Sequence, residues 1–221
     1  MKKSVVVVAG GIGSRMKAEL PKQFLLLAGK PMLMHSMLSF VQTYPDIFLF
    51  LVLPAEQFGP WNELCHKFSF FIPHQLIGGG ETRFHSVKNA MAVIPDDGLV
   101  AVHDGARPLV TPSLIRSVFE TADRKGNCIP VIPVNESIRM ISGPTSRPVN
   151  REEFALVQTP QVFSSSVIKK AYLRPYSEKF TDDATVAEAY GEQIYLIEGE
   201  RSNIKITLPA DLDIAEALIP R

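Results

Sequence analysis

Residues 5–24 read VVVVAGGIGSRMKAELPKQF, and this segment is the most informative part of the sequence. It opens with four valines, and such a β-branched apolar run is typical of a strand buried on both faces of a parallel sheet. Ala9 follows, and then come three glycines in four positions, Gly10, Gly11 and Gly13. Glycines let a ligand approach the main chain closely, and exposed backbone N–H groups can bind an anion. The stretch therefore predicts a buried strand that ends in an anion-binding loop.

Two cationic side chains follow the glycines, Arg15 and Lys22, and Pro21 fixes the backbone just before the second. An anion-binding loop that carries two cations suits a triphosphate. The alternative is a tight strand-to-helix turn with two solvated cations, which is less favoured because such a turn needs only one glycine. The loop lacks the third glycine of the dinucleotide-binding motif, and the chain has no G-x-x-x-x-G-K-[ST] motif. The phosphates would therefore be held in another way.

The bulk composition excludes several classes of protein. The chain has 221 residues and a formal net charge of zero, so no basic excess supports nucleic-acid binding as its main task. No apolar stretch approaches the ~20 residues that a membrane helix needs. Cys65 and Cys128 are isolated, without metal-ligand spacing, and are predicted to be buried thiols in a reducing compartment. We expect a single cytoplasmic domain over residues 1–221, with no membrane or nucleic-acid partner.

Apolar runs and amphipathic segments alternate along the chain, which predicts an α/β fold with a mostly parallel sheet covered by helices. We expect strands at residues 47–53, 74–77, 99–102, 128–134, 193–197 and 203–207. Two of the predicted helices begin near residues 32 and 82. The others cover residues 55–68, 111–125, 164–173, 183–190 and 210–219. Thr111 and Pro112 are typical of an N-cap and first helical position, and Thr181 or Asp182 is expected to cap the helix at 183–190.

A second glycine cluster, residues 78–80, lies between a short predicted strand and a helix that begins near Thr82. Such glycines at the carboxyl end of a strand indicate close approach to a ligand, and Ser86 could face the same crevice. A flexible turn is the equally weighted alternative. Asp104 ends another predicted strand, at the sheet edge where open α/β folds bind ligands. Beside a triphosphate this carboxylate would hold Mg²⁺, although it could instead cap the turn before Pro108.

The pattern changes between residues 135 and 156, where two predicted strands, 136–140 and 149–156, flank a polar turn at 142–146. This predicts a hairpin insertion that projects as an arm and needs a partner surface, so dimerisation is expected. Near the C-terminus, Lys205 lies between Ile204 and Ile206. If the isoleucines face inward, Lys205 points to the opposite face; a solvated lysine on an edge strand is the alternative.

Six motifs follow one another along the chain: AGGIGSRM at 9–16 with PKQ at 21–23, GGETRFHSV at 79–87, HDGARP at 103–108, TPQVF at 159–163, TDDA at 181–184 and NIKITLPADL at 203–212. With these motifs in this order, nearly the whole chain resembles the cytidylyltransferases that form 4-diphosphocytidyl-2-C-methyl-D-erythritol in the non-mevalonate isoprenoid pathway. The first motif alone indicates only a nucleotidyltransferase. The resemblance implies a three-layer Rossmann-like nucleotidyltransferase fold with a projecting β-arm at about residues 135–156.

The resemblance also implies an activity: transfer of CMP from CTP to 2-C-methyl-D-erythritol 4-phosphate, with Mg²⁺ as cofactor and release of pyrophosphate, in a homodimer. The implied catalytic residues are Arg15, Lys22 and Lys205. The implied nucleotide-binding residues are Ala9, Gly10, Gly11, Gly13, Gly80, Glu81 and Ser86. The implied residues for the polyol phosphate are Asp104, which also binds the metal, and Arg107, Ser137, Arg151 and Thr159. Arg151 would act from the arm in the site of the other subunit.

Two positions depart from the family pattern. Gly10 replaces an alanine, which removes a methyl group near the base, and Glu136-Ser137 replaces an Asp-Thr pair on the arm. The closest rival is a ribitol 5-phosphate cytidylyltransferase, which would differ only in its acceptor pocket. A sugar-1-phosphate nucleotidyltransferase is less favoured, since such enzymes commonly carry an aspartate where Lys205 stands. A non-catalytic nucleotide-binding regulator is the alternative of another class.

Overall fold

The computed structural model of the chain describes residues 1–10 and 21–219. The predicted glycine loop is therefore described only as far as Gly10. Gly11, Gly13 and Arg15 lie outside the described residues. No helix in the described ranges is long and apolar enough to cross a membrane.

The strands of the described residues are numbered in chain order. They are β1 (Lys3–Val8), β2 (Leu26–Leu27), β3 (Lys30–Pro31), β4 (Phe48–Leu53), β5 (Gln75–Gly78), β6 (Leu99–Asp104), β7 (Asn127–Pro133), β8 (Arg139–Ser142), β9 (Thr145–Pro148), β10 (Ala155–Val157), β11 (Gln161–Ser164) and β12 (Leu196–Glu198). The central sheet has the order β10-β7-β11-β6-β1-β4-β5, and β12 also pairs with β7. Only β10 and β11 run against the other strands of this sheet. The predicted, mostly parallel sheet is confirmed.

The helices cover both faces of this sheet. They are α1 (Met32–Thr43), α2 (Phe58–Lys67), α3 (Arg83–Met91), α4 (Pro112–Lys125), α5 (Ser165–Ala171), α6 (Asp183–Tyr190) and α7 (Pro209–Leu218). Val5 and Val7 pack into a core with α1, α2 and α4, whereas Val6 packs into a second core with α3, α5 and α6. Successive strand residues point to opposite faces, so the valine run is buried on both sides as its composition predicted.

Local sequence signals fix the helix ends as expected. Thr111 caps α4 by accepting a hydrogen bond from the Leu114 N–H at 3.1 Å, and Pro112 occupies the first turn. Of the two residues expected to cap α6, the cap is Asp182, whose carboxylate accepts from the Thr185 N–H at 2.9 Å. These caps satisfy N–H groups that have no partner within the helix.

Three predicted elements differ in the structure. The strand expected at residues 193–197 is β12, Leu196–Glu198, because the Asn127 side chain binds the Gln193 carbonyl and the Tyr195 N–H in place of a strand ladder. Residues 203–207 do not form a strand: the Ile206 N–H reaches the Ala106 carbonyl at 2.8 Å, but the Ile204 N–H turns back to Ser202, so no ladder forms.

The predicted arm also differs, because its strands belong to two separate sheets. The strands β8 and β9 form a separate two-stranded sheet with Ser142 opposite Thr145, whereas the apolar residues of β10 pair with β7 in the central sheet. The residues between β9 and β10 include a short 3₁₀ turn at Arg151–Glu153, so the hairpin does not extend over the whole of residues 136–156.

Candidate active site

The carboxyl ends of the parallel strands β1, β4, β5 and β6 open into a crevice of about 750 Å³. Gly10 follows β1, Gly79 and Gly80 follow β5, and Asp104 ends β6, and all four residues line this crevice. Ligands of open α/β sheets bind at this edge because several strands end there together. The structure therefore brings together motifs that are far apart in the sequence.

The two glycine segments meet around Ser86. The Gly80 N–H donates to the Ser86 hydroxyl at 3.0 Å, and a Cβ atom on Gly10 would lie 3.6 Å from the same oxygen. A Cβ atom on Gly80 would lie 2.5 Å from the Cβ of His85 and 2.9 Å from its backbone carbon, closer than packed atoms approach. Gly80 is therefore required by the first turn of α3. At Gly10 a methyl group would fit, so the departure from alanine leaves extra space in the crevice.

Asp104 is the electrostatic centre of the crevice, because three cations converge on its carboxylate. The Lys205 ammonium lies 2.9 Å from Oδ2 and Arg107 Nε lies 3.7 Å from the same oxygen, while Arg83 Nε lies 3.5 Å from Oδ1. Burial opposes ionisation of this carboxyl, but Arg83, Lys205 and Arg107 together outweigh it and hold the pKa of Asp104 well below its usual range. Asp104 is therefore an anion at neutral pH.

A second, smaller cavity of about 260 Å³ adjoins the crevice, and Asp104 lines both. Arg107 and Thr159 line it, and it shares Arg83, Asp104 and Lys205 with the crevice. Two adjoining cavities with a common wall of charged side chains can hold two ligands side by side. The arrangement fits a reaction between two anionic molecules whose charges must be neutralised at the boundary.

Thr159 and His103 form hydrogen bonds that hold the backbone at Asp104 in place. The Thr159 hydroxyl accepts a hydrogen bond from the Asp104 N–H at 3.0 Å and lies 3.1 Å from Nδ1 of His103. The other ring nitrogen, Nε2, lies 3.1 Å from the Arg107 carbonyl, which can only accept, so Nε2 carries the proton and Nδ1 accepts from Thr159. Burial lowers the pKa of His103 to about 4, so the ring is neutral and packed.

Three residues to which the sequence analysis gave no role, Arg83, Asp183 and Asn203, make contacts at the boundary of the two cavities. Arg83 makes a bidentate ion pair with the buried Asp183, with NH1 3.1 Å from Oδ1 and NH2 2.6 Å from Oδ2. The Asn203 side-chain amide donates to the Thr159 backbone carbonyl at 2.8 Å, and the Asn203 backbone carbonyl accepts from Arg107 NH1 at 2.7 Å. No local spacing signals the Arg83–Asp183 contact, because the partners are 100 residues apart. Their presence in two of the matched motifs was the available signal.

The proposed site residues fall into three groups. Those that line the crevice or the second cavity are Ala9, Gly10, Lys22, Gly80, Glu81, Ser86, Asp104, Arg107, Thr159 and Lys205. Ser137 and Arg151 line neither cavity in the described chain; they are exposed on the arm, where the Arg151 guanidinium donates to the Asn135 carbonyl. Gly11, Gly13 and Arg15 belong to the undescribed segment. Within one chain the predicted residues of the first group therefore lie around the two adjoining cavities, whereas the two arm residues lie apart from them.

The described residues contain no cluster of three or more His, Cys, Asp or Glu side chains that could hold a metal by itself. A lone ionised carboxylate at a strand end nevertheless fits Mg²⁺, which is commonly held by one or two carboxylates together with substrate phosphates. Asp104 meets this requirement, since it is anionic and lines the larger crevice.

A mainly parallel sheet with helices on both faces, glycine segments at its carboxyl edge and a cluster of cations define an α/β protein built to bind phosphates. The sequence model of the 2-C-methyl-D-erythritol 4-phosphate cytidylyltransferase family (IspD) matches residues 4–221. The chain belongs to this family, and the predicted class of enzyme, a cytidylyltransferase of the nucleotidyltransferase type, is confirmed.

Individual relatives carry the same name. The chain is 49% identical to the 2-C-methyl-D-erythritol 4-phosphate cytidylyltransferase of Bacteroides thetaiotaomicron and 47% identical to that of Phocaeicola vulgatus, over 99% of this chain and 100% of each relative. Among solved structures, it superposes on the enzyme of the same name from Thermus thermophilus with a TM-score of 0.77 and 31% identity, covering 99% of this chain and 98% of that one. For the Francisella tularensis enzyme the TM-score is 0.82 at 28% identity, covering 99% and 100%.

Proposed function

We propose that this protein transfers CMP from CTP to 2-C-methyl-D-erythritol 4-phosphate, giving 4-diphosphocytidyl-2-C-methyl-D-erythritol and pyrophosphate for isoprenoid precursor synthesis. The observation that carries the proposal is the charged wall of Arg83, Asp104 and Lys205 between two cavities. The relatives named above favour methylerythritol phosphate over ribitol 5-phosphate as the acceptor.

CTP would occupy the larger crevice. The Gly10 and Gly80 backbone, Glu81 and Ser86 would bind the cytosine and ribose, since these groups meet at one end of the crevice. Lys22 lines the same crevice and would bind the phosphates together with Arg15 and the backbone of Gly11 and Gly13.

The methylerythritol phosphate would occupy the second cavity, where Arg107, Thr159 and Asp104 are available to its sugar-alcohol end. Its phosphate oxygen would attack the α-phosphorus of CTP in line and expel pyrophosphate. A phosphate monoester is largely ionised near neutral pH, so the reaction needs no general base. This agrees with the burial of His103, whose lowered pKa leaves it uncharged.

The main obstacle to this reaction is the approach of two anions. Lys205 would move from its contact with Asp104 toward the α-phosphate as negative charge accumulates there, and Lys22 and Arg15 would stabilise the departing pyrophosphate. Asp104 would hold Mg²⁺, which when bound neutralises phosphate charge. Such charge stabilisation is the largest contribution that a protein makes to phosphoryl-type transfer.

The site would be completed by a second subunit. We propose a single domain over residues 1–221 whose arm, at about residues 135–156, forms a homodimer and brings Arg151 and Ser137 to the acceptor phosphate of the partner. Support comes from the apolar side chains that the arm exposes, among them Ile141 at 73% and Phe154 at 45% exposure. Exposed apolar patches of this kind are typical of protein interfaces. A cytoplasmic location fits the two buried free cysteines.

The proposal is tested by incubating the protein with Mg²⁺, methylerythritol phosphate and each of the four nucleoside triphosphates. We expect pyrophosphate release with CTP, dependent on the acceptor, and a product whose mass equals CMP joined to the acceptor. Binding of CTP without pyrophosphate release would instead identify a non-catalytic nucleotide-binding regulator.

A further inference from the structure

Asp183, the first residue of α6, is a buried carboxylate that the mechanism above does not use. Its side chain has no exposed surface. Both oxygens are engaged: Oδ1 accepts from the Tyr172 hydroxyl at 2.6 Å and from Arg83 NH1 at 3.1 Å, and Oδ2 accepts from Arg83 NH2 at 2.6 Å. A buried charge is costly unless it is paired and hydrogen-bonded, so this geometry holds Arg83 firmly.

The start of α6 does not need this carboxylate. Asp182 already caps the helix through the Thr185 N–H, and the side-chain amide oxygen Oε1 of Gln161 accepts from the N–H groups of Asp183 and Ala184 at 3.0 Å each. The N–H groups that a helix start leaves unsatisfied are therefore bound by other residues. The Asp183 side chain points instead at Arg83.

Arg83 connects Asp183 with the two cavities. Its side chain is 29% exposed and lines both the crevice and the smaller cavity. The guanidinium is a rigid planar group, so fixing NH1 and NH2 on Asp183 also fixes where Nε points. That nitrogen lies 3.5 Å from Oδ1 of Asp104, whereas Lys205 and Arg107 lie on the side of Oδ2.

We propose that Asp183 is a positioning residue for the transfer reaction: acting through Arg83, it fixes the orientation of the Asp104 carboxylate at the boundary between nucleotide and acceptor. The buried Tyr172 hydroxyl holds the Asp183 carboxylate in place through its hydrogen bond to Oδ1. The inference rests on the proposed function, since the orientation of Asp104 matters there for acceptor binding. Without the Asp183 charge, the Arg83 guanidinium leaves its place beside Oδ1 of Asp104 and swings into the crevice, and the Asp104 carboxylate turns away from the acceptor.

The test is a double-mutant cycle measured by steady-state pyrophosphate release. We expect Asp183→Asn to lower kcat/KM for methylerythritol phosphate about 10- to 100-fold, with a raised KM for this acceptor and a KM for CTP within about threefold of wild type. In an Arg83→Gln background the same change should cost less than about threefold, because its only route of action is gone. Arg83→Lys should not restore the rate, since an ammonium cannot make the bidentate contact.

The matched control is Val186→Ala, which removes buried volume from the same helix without touching the ion pair. A purely structural role for Asp183 would lower the amount of active enzyme in both variants and leave the acceptor KM unchanged. Additive effects of Asp183→Asn and Arg83→Gln would overturn the proposal. If Asp183→Asn does not fold, Tyr172→Phe removes one hydrogen bond to the same carboxylate, and the acceptor KM should rise about two- to fivefold.

Failure of the proposed function is distinguished by the wild-type protein. If wild type releases no pyrophosphate with this acceptor, the function is wrong, and the positioning role is judged by a crystal structure of Asp183→Asn. The Arg83 guanidinium is expected to leave its place beside Oδ1 of Asp104. An Arg83 side chain in its wild-type position would overturn the inference whatever the activity.

Discussion

The Lys205 ammonium lies 2.9 Å from Oδ2 of Asp104, although Asp104 ends a central strand and Lys205 belongs to the irregular segment before the terminal helix. The pair stands between the crevice and the smaller cavity, and both residues line both spaces. With no substrate bound, the carboxylate and the ammonium neutralise each other. In the proposed reaction the same ammonium would become available to the negative charge that develops between the two phosphate-bearing substrates.

Lys22→Ala should lower turnover by about 100- to 1,000-fold, because one cation that stabilises the pyrophosphate is lost. The measurement is pyrophosphate release at saturating CTP, with circular dichroism to verify folding. Lys30→Ala, an exposed lysine on the nearby strand β3, is the control and should retain wild-type turnover. Near-normal turnover in folded Lys22→Ala protein would contradict the role given to this residue.

Gly80→Ala should weaken CTP binding and lower the unfolding free energy by about 1–3 kcal/mol, the usual cost of overpacking. The added methyl group would meet His85 at 2.5 Å and displace the first turn of α3, which carries Ser86. Gly78→Ala is the matched control, since a Cβ there meets no described atom within 4 Å. Titration calorimetry with CTP and chemical denaturation of both variants measure the effects. Equal behaviour of the two variants would refute the close approach at Gly80.

Arg151→Ala should raise the KM for methylerythritol phosphate at least about tenfold, because a charge-assisted contact with its phosphate is removed. Mixed dimers of Arg151→Ala and Lys22→Ala subunits should regain part of the activity. In such a dimer one of the two sites would combine an intact Lys22 with an intact partner Arg151. Activity is measured on heterodimers purified through two different affinity tags. If verified heterodimers are no more active than either parent, the arm does not act across subunits.

The two cysteines should react slowly with a thiol reagent in the native protein. Burial raises the pKa of the Cys65 and Cys128 thiols to about 11, so at pH 8 each carries about a hundredfold less thiolate than an ordinary cysteine. The rate should rise about tenfold per pH unit between pH 8 and 10, since thiolate is the reacting form. In urea, which unfolds the protein and exposes both thiols, the reaction should be rapid. Rapid modification of the native protein at pH 8 would contradict their burial.

Local patterns were sufficient to predict most of the fold. The valine run, buried on alternate faces, and the Thr111–Pro112 helix start are decided by residues adjacent in sequence. The segment at residues 203–207 shows where such reasoning fails. Its alternating isoleucines suggest a strand, but a strand needs a partner edge, and only Ile206 finds one backbone acceptor there. The alternation still holds for side chains, because Ile206 is buried while Lys205 reaches Asp104.

The site was predictable only in part, for a related reason. Glycines at strand ends and Asp104 could be placed at one sheet edge, because parallel strands end together there. The bidentate pair of Arg83 and Asp183 depends on how α3 and α6 pack on the same face of the sheet, which no local spacing encodes. In the proposed dimer the place of Arg151 would depend on a second subunit, and no local spacing in the sequence encodes such a contact.

The most direct test of the central claim is a comparison of two acceptors at saturating CTP and Mg²⁺. kcat/KM is measured from pyrophosphate release with 2-C-methyl-D-erythritol 4-phosphate and with ribitol 5-phosphate. We expect methylerythritol phosphate to be preferred by about 100-fold or more, because polar groups placed for one polyol are left unpaired by another. Equal turnover, or a preference for ribitol 5-phosphate, would preserve the phosphate site but contradict the acceptor assigned to the cavity beside Asp104.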